Sequence, residues 1–259
     1  MNQTKDLKFA VLIDADNVPY SNIKGILEEI AKYGTPTFKR IYADWTKPTV
    51  SGWKGVLLEN AINPVQQYSY TTGKNATDSA MIIDAMDILY TGKVDGFCII
   101  SSDSDFTKLA TRLRESSMVV FGVGERKTPA PFIAACDKFI YVEIIPKDEK
   151  PEKESIILDK KTAKPTKKTT KKEAPISNIN RDILKLITES INDIADENGW
   201  AFLGDLGNFL IKRKPDFDAR NYGYPKLFAL VKGLNKFDFE ERDAAKGNSK
   251  QIYVKNRNK

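Results

Sequence analysis

The sequence predicts an α/β protein, a mostly parallel sheet with helices on both faces, followed by a smaller C-terminal helical domain with a short β-wing. Three observations carry this. Over residues 1–146, short apolar runs alternate with amphipathic stretches in βαβα order, and connections that short favour parallel neighbours joined by crossover helices. Between Lys160 and Lys172 the tract KKTAKPTKKTTKK holds seven lysines, no acid and a single alanine as its apolar residue. Such a segment cannot offset its ordering entropy by burial, so 147–176 reads as a flexible linker. Beyond it, over 177–259, helical and strand periodicities return.

The elements follow in order. Phe9–Ala10–Val11–Leu12–Ile13 is a continuous apolar run, the pattern of a strand buried on both faces. Ile23, Ile26, Leu27 and Ile30 keep helical spacing. Phe38, Ile41 and Tyr42 mark a second strand, Trp53 to Leu58 a helix, and Val65 to Tyr68 a third strand. A helix over 78–90 carries Met81, Ile82, Ala85, Met86 and Leu89. Phe97–Ile100 is the next strand, Phe106–Leu113 a helix, Val119–Phe121 a strand, Pro131–Cys136 a short helix and Phe139–Val142 a last strand. The short run Ile156–Ile157–Leu158 has no evident place in this pattern.

Composition narrows the chemistry. The 259 residues include no histidine and two cysteines. This excludes the usual serine or cysteine triad, a histidine general base, a histidine or thiolate zinc site and a disulfide framework. Cys98 and Cys136 lie in apolar surroundings and read as core residues. The net charge of +6 is uneven: residues 1–146 are close to neutral, and the surplus lies in the lysine tract and the C-terminal domain. No leader-like segment and no long apolar run occurs, which points to a cytoplasmic protein without a membrane partner.

The informative residues are acids. Asp14 and Asp16 follow the first strand, and Asp103 and Asp105 follow the 97–100 strand. Ligands of open α/β sheets bind outside the carboxyl ends of strands, where the strand order reverses. If these strands are neighbours, four carboxylates converge, with Asp78 at the start of the next helix as a fifth. Asp84, six residues on, lies about 120° around that helix and flanks the site at most. Asp16, Asn17 and Asp105 have an ordinary alternative as helix caps. Clustered carboxylates repel, and a hard cation relieves this: Mg²⁺ takes carboxylate oxygens and can polarise a phosphoryl group. The opening LIDADNV also looks like that of haloacid-dehalogenase-type phosphatases, yet SSDSDF lacks their later spacing. No G-x-G-x-x-G follows the first strand, which weakens a dinucleotide site.

The ordered motifs VLIDADNV at 11–18, GKNATD at 73–78, IISSDSDFTKLATRLRE at 99–115 and VVFGVG at 119–124 carry a resemblance. Residues 8–143 resemble the NYN domain, the LabA-like branch of the PIN-like nuclease superfamily. The resemblance implies a PIN-like, Rossmann-like fold and hydrolysis of RNA phosphodiesters with Mg²⁺ or Mn²⁺. It implies Asp14, Asp78 and Asp103 as metal-binding acids and Asp105 as a fourth contributor. Asn17 matches the D-x-x-N pattern, Ser101 matches the serine of S-x-D-S-D-F, and Asp16 and Asp84 are weaker matches. The chain departs from the pattern at Lys74–Asn75–Ala76–Thr77–Asp78, where members often read K-G-V-D, and at Ser102, often glycine. Lys74 is carried as a nucleic-acid contact.

In the C-terminal region, Ile179, Ile183, Ile187, Ile191 and Ile194 mark one helix, with Ser177 or Asn178 as its cap. Trp200–Leu203 with Leu206, Phe209 and Leu210 marks a second helix, and Lys226–Gly233 a third. Phe237–Phe239 and Gln251–Val254 read as two strands around a turn near Gly247. This is a winged-helix pattern. PDFDARNYGYPKLFALVKGLNKFDFE at 215–240, with QIYVKN as the final strand, resembles the OST-HTH domain, also called LOTUS. The resemblance implies RNA binding, with protein partners known for some relatives. Lys212, Arg213, Lys214, Arg220 and Lys226 are the expected phosphate contacts, and Tyr224 the residue expected to stack on a base. Tyr222 and Phe228 read as core.

Together these features predict a metal-dependent ribonuclease with an RNA-capturing module, single-stranded RNA fitting best. The alternatives are a non-catalytic RNA-binding or RNP adaptor and a phosphatase. Oligomeric state is not legible in the sequence.

Overall fold

The computed structural model describes residues 6–68, 76–146, 179, 181–243 and 250–257. The linker 147–176, Lys74, the predicted helix caps at Ser177 and Asn178 and the Gly247 turn lie outside them. Among the described residues, six strands form one sheet: β1 (Lys8–Asp14), β2 (Thr35–Ala43), β3 (Asn63–Gln66), β4 (Gly96–Ile100), β5 (Val119–Gly124) and β6 (Lys138–Tyr141). The order is β3-β2-β1-β4-β5-β6, and every adjacent pair is parallel.

The helices divide by face. β1 sends Phe9, Val11 and Ile13 into one core, shared with α1 (Ile23–Ala31) and α2 (Trp53–Asn60). It sends Ala10 and Leu12 into the other, shared with α3 (Ala76–Thr91), α4 (Thr107–Glu115) and α5 (Ala130–Ala135). That alternation explains why its sequence is apolar without a break. Order reverses between β1 and β4, which run in register with Ile13 opposite Ile100. The acid-bearing loops therefore open side by side at the switch point. Gly124 permits a close approach there: a Cβ on it would sit 2.7 Å from the Ser101 carbonyl oxygen and 2.7 Å from Thr128 Oγ1.

The second body packs α6 (Arg181–Ile194), α7 (Leu203–Arg213) and α8 (Leu227–Gly233) against β7 (Ala201–Phe202), β8 (Phe237–Asp243) and β9 (Lys250–Asn256). The sheet has three strands in the order β7-β9-β8, where the sequence suggests two. Residues 201–202, expected to open the second helix, instead pair antiparallel with Val254 and Tyr253. The turn before them sets this up. Asp196 Oδ1 accepts from the amides of Asn198 and Trp200, and Gly199 takes φ +82°.

The two bodies touch at the free edge of the large sheet. The Phe139 amide on β6 donates to the Pro215 carbonyl at 2.8 Å, and the Tyr141 hydroxyl donates to Asp216 at 2.9 Å. Beside them Arg220 forks onto both oxygens of Glu29 on α1, at 2.7 and 3.1 Å, and onto Asp218. Glu29 is buried and also receives Lys32. Burial alone would raise its carboxyl, but the bonds from Arg220 and Lys32 outweigh that and hold it below its ordinary value. Lys138, itself buried, lies with Nζ 5.2 Å from the Tyr33 ring centre. The second domain thus covers an otherwise unpaired strand edge.

Candidate active site

The site begins with the end of β1. Asp14 is 1% exposed. Its Oδ2 accepts from Asn17 Nδ2 at 2.6 Å and Ser101 Oγ at 2.8 Å, and its Oδ1 accepts from the Asp16 amide at 3.1 Å. Burial raises its pKa, and the bonds from Asn17 and Ser101 offset part of the rise. Ser101 follows β4 directly; its hydroxyl donates to Asp14 and accepts from the Asp103 amide at 3.1 Å. One hydroxyl therefore ties the ends of the two strands that form the switch point.

Asp103 Oδ1 accepts from the Asp105 amide at 2.9 Å, capping the turn that leads into α4. The capping role weighed for Asp105 belongs to Asp103. Asp78 lies in the first turn of α3. Asp78, Asp103 and Asp105 each present an oxygen such that all three lie within 4.8 Å of one another. Asp14 is not part of that trio and is more buried, yet its charge is felt. Burial first, then Asp14, Asp103 and Asp105, push the Asp78 carboxyl up to about 6. Asp16 is exposed and adds a smaller push.

The trio fits a hard divalent cation: its donors are all carboxylate oxygens, converging, with no nitrogen or sulfur donor among them. Asp84 does not join it. Arg40 and the Tyr42 hydroxyl both bond its carboxylate, which makes it a structural partner of β2. Ser102 has a structural reason to stand where glycine is frequent: its Oγ accepts from the Glu125 amide at 2.8 Å, joining the β4 and β5 loops. Both cysteines are buried, which pushes their thiols up and leaves them inert.

The expected nucleic-acid residues separate. Lys212 and Lys226 are exposed. Arg213 pairs with Glu189 and Asp193, and Lys214 pairs with Asp216. Arg220 is not presented as a phosphate contact; Glu29 and Asp218 hold its guanidinium. Tyr224 is partly buried, its ring lying where a Cβ on Gly233 would meet it at 2.6–2.8 Å, so it packs on α8 rather than projecting as a stacking platform. Tyr222 is buried in the core, whereas Phe228 is half-buried and rests edge-on against Phe239.

Two groupings escaped the sequence reading. On the wing, the Arg242 guanidinium lies 4.2 Å from the Tyr253 ring centre and 5.5 Å from Trp200, with Lys255 5.9 Å from Trp200. Strand alternation puts Tyr253 and Lys255 on one face, a signal that needed the register of β9 to be known. After β2, buried Asp44 fixes a turn by accepting from Thr46 and Gln66, beside Trp45.

A model of the NYN domain matches residues 8–143, just over half of the chain. The chain belongs to the NYN domain family. Its second domain is an OST-HTH/LOTUS domain, matched over 174–248. Among solved structures, this NYN protein is similar to a protein of unknown function from Vibrio parahaemolyticus, with 20% identity over 54% of this chain and 96% of that one, at a TM-score of 0.46. It is similar to an uncharacterised protein from Nitrosomonas europaea, with 34% identity over 39% and 94% of the two chains, at a TM-score of 0.30. A third is a Chromobacterium violaceum protein, with 28% identity over 33% and 90%, at a TM-score of 0.26. No curated protein matches. Among the described residues, no helix is long and apolar enough to cross a membrane.

Proposed function

We propose that this NYN protein is a metal-dependent ribonuclease that hydrolyses RNA phosphodiester bonds, using Mg²⁺ or Mn²⁺. The observation that carries this is the convergence of Asp78, Asp103 and Asp105 within 4.8 Å at the switch point of a family whose fold is nuclease-like. These three acids would hold the cation, with the buried carboxylate of Asp14 acting on Asp78 beside them. A divalent cation held there would supply Lewis-acid polarisation of a phosphate and charge to offset what develops on it. Ser101 and Asn17 fix Asp14, so this part of the site is rigid before substrate arrives. The Asp103–Asp105 cap orients the two acids on the β4 side. The OST-HTH/LOTUS domain supplies RNA affinity, with exposed Lys212 and Lys226 as phosphate contacts.

The test is cleavage of end-labelled single-stranded RNA, duplex RNA and single-stranded DNA in Mg²⁺, in Mn²⁺ and in chelator. Ion-dependent RNA cleavage that Asp103→Asn abolishes, with RNA binding retained, supports the reading. Binding without cleavage under both ions assigns the chain to the adaptor class instead.

A further inference from the structure

A cavity of about 650 Å³ opens between α2, the edge strand β3 and the turn that follows β2. Its walls are mostly apolar, with Leu57 and Leu58 from α2 and the Trp45 indole from the turn. Among the described residues, Lys47 and Lys54 are the charged residues lining it. Leu58, on α2, is 80% exposed, which leaves apolar surface in water.

The indole is held in place. Trp45 Nε1 donates to the Val65 carbonyl at 2.9 Å, and its amide donates to Gln66 Oε1 at 3.0 Å. Gln66 Nε2 in turn donates to Asp44 Oδ1 at 3.2 Å. Asp44 is 8% exposed, also holds Thr46, and stands 3.9 Å from Lys47 Nζ. An indole held through its Nε1 bond, an apolar wall and two lysines in the lining match a nucleotide: the ring system takes the base and the ammonium groups face its phosphates.

Position supports this. Asp14 pairs with Tyr42 across β1 and β2, and Trp45 follows Tyr42 by three residues. The Trp45 side of the cavity therefore lies at the carboxyl end of β2, two strands from β4, and on the sheet face of α2 rather than that of α3.

We propose that this cavity is a nucleotide subsite that takes one base of a single-stranded RNA running along this rim to the acids. The inference rests on the ribonuclease reading for its substrate. Because Gln66 spends its amide on Asp44 and Trp45, the subsite reads the base by stacking and is tolerant of sequence.

The experiment uses full-length Asp103→Asn protein and an oligoribonucleotide carrying 5-iodouridine, with photocross-links mapped by mass spectrometry. Leu58→Glu and Lys54→Glu, both at exposed positions, serve as blocking variants that keep the fold. The expected result is a cross-link on the Trp45 peptide, reduced about fivefold or more by either variant. Cross-links confined to other regions, or a Trp45 cross-link that neither variant reduces, overturn the subsite. Loss of a protein partner by Leu58→Glu with no RNA cross-link in the cavity overturns it too. In the otherwise wild-type enzyme, the same substitutions are expected to raise KM and leave kcat nearly unchanged. If RNA is never cleaved but the cross-link behaves as expected, the ribonuclease reading fails and the subsite stands. If cleavage occurs and the cross-link is absent, the reverse holds.

Discussion

The Ser101 hydroxyl serves two strands at once, donating to buried Asp14 and accepting from the Asp103 amide. Ser101→Ala leaves both groups short of a partner, and a buried acceptor deprived of its donor costs about 1–3 kcal/mol. Thermal melting should show Tm lower by roughly 2–10 °C; an unchanged Tm would contradict the bridging role. Asp78 behaves in the opposite sense. Its folded-state pKa, about 6, lies above the ordinary 3.8, so the folded protein holds this proton more tightly than the unfolded chain. Stability of the cation-free protein therefore declines as pH rises from about 4 to 6 and stays reduced above. In chelator at pH 7.5, Asp78→Asn should raise Tm by a few degrees, a gain that disappears at pH 4. Proton competition should also weaken cation binding as calorimetric titrations are taken down through pH 6. The acids were legible because spacing placed them at strand ends. Arg220 was not, because its main partner Glu29 lies 191 residues away. The packing of Tyr224 was not legible either, because the surface it covers, Gly233, belongs to the next helix.

At the scale of elements, the apolar runs marked the central strands β1 and β4 most clearly, since burial on both faces leaves little ambiguity. What escaped was pairing. Ala201–Phe202 is too short to show a period of two, and it became a strand because β9 offered an edge. The Asp44–Gln66 turn escaped for a related reason: its buried acid meets one partner from its own turn, Thr46, and one from β3, Gln66. Gly124 shows how an element end shapes the site. A methyl there would press on the Ser101 carbonyl at 2.7 Å, an overpacking worth about 1–3 kcal/mol. Gly124→Ala should lower Tm and weaken cation binding together in parallel melting and titration experiments. A fall in Tm with cation affinity intact would separate Gly124 from the site.

At the scale of the whole molecule, the sequence predicts two units but not their contact. A tethered reader was expected, whereas the structure sets the OST-HTH/LOTUS domain against β6 through Pro215, Asp216 and Arg220. The docking segment lies within the stretch that carried the family resemblance, so residues expected to face RNA instead face the NYN domain. Arg220→Ala leaves Glu29 beside Lys32 alone and should release the second domain, read as a larger radius of gyration in X-ray scattering while the secondary structure is kept. An unchanged radius would contradict the latch. The Glu29 carboxyl is held below its ordinary 4.5; its contribution to docking is therefore present above that value and lost as pH falls below it. Scattering profiles should expand on acidification in this range before either domain melts.

The central claim is that the acid trio binds a divalent cation in order to cut RNA. Its most direct measurement is cleavage of labelled single-stranded RNA by the full chain, with Mg²⁺ or Mn²⁺ and with chelator, beside Asp103→Asn. Cleavage that requires the ion and falls at least about a hundredfold in the variant, with RNA binding unchanged, is the predicted result. RNA bound but uncut under both ions, or cut equally by Asp103→Asn, would contradict the account.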